Sequence, residues 1–180
     1  MKAIICFFYV ASNSENKEHA AHAYGFAGRA AEALFKLSEE QDWAERWYTS
    51  ELKSAELSEN KKHSIHAYSF AGEAAGKRFM LTKKRKECLN NKIKWAENWY
   101  NAKFRSAELA ENFDKVHSAH AYSFAGNAAY LLYTQFNLEE YKSKFISHYE
   151  IFINYVMQNK IESLHGLVEK LKIRIKECSL

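Results

Sequence analysis

The chain has 180 residues, 26 Lys or Arg against 22 Asp or Glu, and a formal charge of +4. At 47% apolar and 15% aromatic it holds ample material for a core, which excludes wholesale disorder. Proline is absent and glycine occurs six times, which excludes turn-rich β-sandwiches and barrels and a collagen-like chain, and leaves a helical composition.

The first predicted element is the apolar run Ala3 to Ala11 (AIICFFYVA), set between Lys2 and Ser12-Asn13-Ser14. It has the outline of a small secretory signal. Residues 11–19 (ASNSENKEH) nevertheless line up with 55–63 (AELSENKKH), so the run stands where a repeated helix would stand, and a structural half-repeat over 1–16 is the expectation. No apolar stretch approaches the roughly 20 residues needed to span a membrane. Cys6, Cys88 and Cys178 are odd in number, far apart and without a C-x-x-C pair, which suits reduced thiols and a cytoplasmic location.

From residue 17 the chain repeats itself. HAAHAYGFAGRAA (19–31) returns as HSIHAYSFAGEAA (63–75) and HSAHAYSFAGNAA (117–129), the last two agreeing at 11 of 13 positions. WAERWYTSELKSAELSEN (43–60) returns as WAENWYNAKFRSAELAEN (95–112) with 11 of 18 identical, and a third copy keeps aromatic residues at Tyr141 and Phe145. Each module reads as a helix. Tyr24, Ala27, Gly28, Ala31 and Phe35 fall on one face of a 3.6-residue period, and Phe26, Ala30, Leu34 and Leu37 form a second apolar stripe, as for a helix sandwiched between neighbours. Trp43, Trp47 and Leu52 point the second helix at its partner. Ser38 and Asn137 stand where N-caps of the second helices are expected.

The expected fold is therefore all-α: a solenoid of antiparallel helix pairs, about 7–8 helices in one domain, with repeats at 17–60, 61–112 and 115–158. Ile161, Leu164, Val168, Leu171 and Ile175 make one apolar stripe with Lys and Arg beside it, a capping helix over 160–178. Repeat two carries eight extra residues between its helices, rich in Lys83, Lys84, Arg85 and Lys86.

Paired helices with a small-residue centre in the first and W-A-E-x-W-Y then A-E-L in the second resemble the tetratricopeptide-like helical repeats. Tyr24, Tyr68 and Tyr122 match the first aromatic position; Gly28, Gly72 and Gly126 match the helix-A glycine; Ala44, Ala96, Tyr48 and Tyr100 match the helix-B positions. The unit here is longer, 44 or 54 residues, and lacks the closing proline. The resemblance implies a non-enzymatic scaffold that binds a protein or peptide in a groove lined by the first helices. Its groove positions would be His22, Gly25, Arg29 and Glu32; then His66, Ser69, Glu73 and Gly76; then His120, Ser123, Asn127 and Tyr130. One position runs Arg, Glu, Asn between unchanging neighbours, which is expected of a side chain facing solvent or a ligand.

Two alternatives carry chemistry. H-x-x-H occurs at His19/His22, His63/His66 and His117/His120, and an i, i+3 pair could offer two imidazoles to a metal. No acid or cysteine recurs at matching spacing, so repeated packing explains the histidines first and neither metal nor cofactor is expected. Residues 77–94 hold eight basic residues and one acid, Lys92 and Lys94 among them, beside Trp95, Trp99 and Tyr100, as in single-strand nucleic-acid binders. Because Trp43 and Trp47 repeat those tryptophans without a basic run, core packing is expected of them, and the basic residues become a flank for an acidic or extended partner. No nucleophile–base pattern and no phosphate-cradling glycine loop occurs, so no catalysis is expected.

Overall fold

Asn16, Asn60 and Asp114 each open a helix by the same device: the side-chain oxygen accepts the backbone N–H three residues on, from His19, His63 and His117. The computed structural model describes residues 2–179, with side chains from 4 to 178. Among them run α1 (Lys2–Asn13), α2 (Lys17–Ser38), α3 (Gln41–Leu57), α4 (Lys61–Lys84), α5 (Leu89–Ala110), α6 (Lys115–Phe136), α7 (Glu140–Gln158) and, after a 3-10 turn at Glu162–Leu164, α8 (His165–Ser179). No strand occurs among the described residues, and none of the helices is long and apolar enough to cross a membrane.

Each helix packs chiefly on the one before and the one after it. Loops of a few residues between successive helices make those neighbours antiparallel. The fold is thus an all-α, solenoid-like succession, as expected. The first and second helices of a pair close on bare backbone. The Cβ missing from Gly72 would stand 2.7 Å from the Lys103 stem, and that missing from Gly126 would stand 2.7 Å from the Tyr149 ring. Gly28 lies under Glu51 in the same way. These approaches offset the helix cost of glycine.

The largest apolar cluster spans α4 to α8, with Phe79, Trp95, Phe145, Tyr149 and Phe152 at its centre. Val168 and Leu171 of α8 are buried in it, and Ile161, Leu164 and Ile175 pack against it, so α8 covers the end of the array. At the other end α1 is a packed helix: Ile4 and Ala11 are buried, Phe8 meets Tyr24 edge-on and Phe7 stacks on Phe26 at 5.5 Å. Met1, the first residue of the stretch with the outline of a signal, lies outside the described residues.

Two local expectations are corrected. Ser38 and Asn137 do not cap α3 and α7: Ser38 is the last residue of α2, and Asn137 closes α6 in the left-handed region at φ 57°, a conformation asparagine tolerates better than most residues. The second apolar stripe of α2 is only partly covered: Ala30 and Leu34 pack against the core, while Phe26 is 51% and Leu37 84% exposed.

Candidate functional site

Four of the six repeated histidines, His22, His63, His66 and His117, form junctions between helix pairs, while His19 is exposed at the start of α2. Ser54 Oγ donates to the Ala21 carbonyl at 2.7 Å, so at 2.8 Å it accepts from Nε2–H of His63. Ser106 repeats this with the Ile65 carbonyl at 2.8 Å and His117 at 2.9 Å. The second histidine of one repeat then meets the first of the next edge to face, His22 on His63 at 4.8 Å and His66 on His117 at 5.5 Å, while His120 meets Phe152. Burial, with the neighbouring His22, holds His63 below the ordinary histidine range; burial and His66 do the same to His117. Among the described residues no three His, Cys, Asp or Glu side chains gather so as to hold a metal ion. The three cysteines are free thiols.

The basic run is largely tied down. Arg78, at the place Leu34 and Leu132 hold in the other repeats, is buried and donates to Glu45 at 2.8 Å and to both oxygens of Glu87 at 2.8 and 3.1 Å. Glu87, the single acid of the run, thereby anchors the α4–α5 connection to α3. Lys84 reaches Glu39 and Arg85 reaches Gln41, back in repeat one. Lys83 lies over Phe79 and Lys94 over Trp95. Lys86 is exposed and Lys92 half-buried. Of the eight extra residues, two lengthen α4, four lengthen α5 and two widen the loop, so helix rather than a free basic segment absorbs most of them.

The expected groove positions divide. His22, Arg29, His66 and Glu73 are exposed on one face of α2 and α4. His22 stands 3.6 Å from Glu18, and Glu32, half-buried, pairs with Lys36. Ser69 is half-buried and accepts the Lys103 ammonium on both its carbonyl and its hydroxyl, at 2.8 and 3.0 Å. Ser123 is buried and bonded to the His120 carbonyl. Asn127 accepts from the Tyr149 hydroxyl and from Arg174, and Arg174 also lies over Tyr130, so in repeat three α8 engages two of the expected groove residues.

Arg29, Glu73 and Asn127 also have internal counterparts. The residue lying over the glycine just before them is Glu51, Lys103 and Tyr149, so the charge inverts together on both helices of a pair. Burial lifts the Glu51 carboxyl to about 8 against the pull of Arg29, and lowers Lys103 to about 8 against the pull of Glu73.

What the helical period hid is an aromatic row. Phe26, Phe70 and Phe124 occupy one repeat position and are 51, 38 and 46% exposed, in line with His22 and Arg29 and their equivalents. The signal was present, since these residues recur in every copy, but an apolar stripe beside another apolar stripe reads as packing. Two pockets open on this face. One of about 550 Å³ lies between α4, α5 and α6, lined by Gly76, Met80, Trp99, Lys103 and Phe124 among others. The other, about 440 Å³, lies between α2, α3 and α4 and includes Phe35, Trp47 and Leu81. No family model, curated protein or solved structure matches the chain.

Proposed function

We propose that the chain is a tetratricopeptide-like scaffold that binds a protein or peptide on the face where α2, α4 and α6 are exposed, in the cytoplasm and with no chemistry of its own. The observation that supports this reading is the row Phe26, Phe70 and Phe124. Three large apolar side chains keep one register and are exposed in every copy, whereas the other repeated aromatics are buried, as Trp47, Trp95 and Tyr122 are, or half-buried, as Trp43, Tyr68 and Trp99 are. Apolar surface retained in register is a mark of recognition sites. A nearest-neighbour array holds such a face rigid and lets each repeat add its own contacts. Contacts from Arg29, Glu73 and the exposed histidines would set charge preference at the margin of that row.

Replacing Phe70 and Phe124 together by Ser tests the reading. Partners captured by the unaltered chain from its native cell are expected to be lost with the double variant, while its far-ultraviolet circular dichroism stays unchanged. Undiminished capture of the same partners by a folded variant would remove this face from the proposal.

A further inference from the structure

Gly76 stands on α4 at the place Glu32 holds on α2 and Tyr130 on α6. The Cβ it lacks would lie 3.3 Å from the indole of Trp99. With no side chain there, that indole becomes a wall of the 550 Å³ pocket, which Met80 and Phe124 complete on the apolar side. The 440 Å³ pocket lies on the other side of the same side chains: both take Glu73, Lys77 and Met80 of α4, which stand as a ridge between the two halves of what we call the trough. Each half has its own apolar wall, Trp99 and Phe124 on one side, Phe35 and Trp47 on the other.

The charge around the trough is unequal. Lys36, Lys77, Lys84 and Lys103 face it against Glu39 and Glu73. Lys84 is engaged with Glu39 and Lys36 with Glu32, which leaves Lys77 and Lys103 against Glu73. Lys103 is 7% exposed, its stem flat on Gly72 and its ammonium set between Ser69 and Phe124 at the pocket wall. Two of its three N–H groups go to Ser69, and no carboxylate of the described residues is within ion-pairing distance. A buried ammonium with one donor to spare, beside an aromatic wall, is built to receive a carboxylate that arrives with apolar surface.

We propose that this trough binds an acidic peptide segment: large apolar side chains enter the pockets on either side of the Glu73–Lys77–Met80 ridge, and an Asp or Glu between them meets Lys103 and Lys77. The inference rests on the scaffold reading and names the chemistry of its partner. It also places the positive charge that matters on Lys77 and Lys103 rather than on the Lys83–Lys86 run.

A random peptide library displayed on phage and panned against the full chain supplies the probe. The enriched peptides, made with a fluorescent label, are then titrated against the unaltered chain, Lys103→Met and Gly76→Tyr. Lys103→Met keeps an unbranched stem over Gly72 and removes the buried charge; Gly76→Tyr installs the residue that α6 carries at this place. Enriched sequences are expected to hold an acid beside aromatic or aliphatic residues, and each substitution to weaken binding by about tenfold or more with an unchanged helical signal. Enrichment of basic or charge-indifferent peptides, or affinity untouched by both substitutions, overturns the inference. Peptides that survive both changes but are lost with Phe70→Ser leave the scaffold standing and sink the trough; a library that yields no binder sinks both.

Discussion

Glu51 is 3% exposed over the bare backbone of Gly28, and burial lifts its carboxyl from 4.5 to about 8 while Arg29 draws it the other way. A group bound more tightly to its proton in the folded state adds stability that is complete below pH 4.5 and is lost as pH rises through about 8. Glu51→Gln removes that dependence. Relative to the variant, the unaltered chain should lose on the order of 2 kcal/mol or more between those limits. Urea melts of both chains, compared at acid and alkaline pH, measure the loss; parallel curves would show that Glu51 is ionised in the fold. His148 works in the opposite sense. Burial, with Lys144 nearby, lowers its ring to about 4, so the unfolded chain takes up a proton that the fold refuses as pH falls below 6.5. Stability is therefore drawn down from both sides by two residues in different repeats.

At the level of the helix, the glycines differ in what lies above them. A Cβ on Gly126 would stand 2.7 Å from two ring carbons of Tyr149, which is fully buried and cannot swing aside, whereas nothing lies within 4 Å of a Cβ on Gly166 in α8. Overpacking costs about 1–3 kcal/mol and alanine returns about 1 kcal/mol of helix propensity. Gly126→Ala should therefore lower stability by up to about 2 kcal/mol, and Gly166→Ala, in the first turn of α8, should raise it by about 0.5 kcal/mol or less. Thermal melts that place both changes on the same side of the unaltered chain would break this account of the glycines. The helices themselves were legible because Tyr24, Gly28 and Trp47 recur with a helical period and few turn residues compete. Their ends were less so: Asn137 reads equally as an N-cap or as the left-handed residue closing the helix before it, and only the path of the chain decides. Arg78 was opaque for another reason. In sequence it belongs to a basic run, and its burial depends on Glu45, 33 residues away.

Across the whole molecule, contacts run from each helix to the next, so stability should be close to a sum over neighbouring interfaces. The succession of pairs and the covering role of α8 were both readable from periodicity. The exposed face was only half readable, because Phe26, Phe70 and Phe124 have the composition of core residues and the solvent exposure of a surface. The covarying pairs were invisible for the same kind of reason, as nothing in the order of residues places Glu51 over Gly28 or Lys103 over Gly72.

The serine–histidine junctions carry one further consequence. Ser54 holds His63 as Ser106 holds His117, and Asn60 caps the helix of His63 as Asp114 caps that of His117, whereas Arg29 with Glu51 and Glu73 with Lys103 are matched inside a single hairpin. The serine–histidine couplings follow one pattern at both junctions, whereas Arg78–Glu45, Lys84–Glu39 and Arg85–Gln41 belong to the first junction alone. Excising residues 61–114 would splice Asn60 to Lys115 and leave His117 at the same offset from its cap that His63 has now, facing Ser54 and His22. The shortened chain is expected to keep its helical signal per residue and a cooperative, though lower, melting transition; loss of that transition would mean the couplings are specific after all. If they interchange, the number of hairpins is a dimension along which this protein can lengthen or shorten by whole units, at the cost of the Arg78–Glu45 contact and its neighbours.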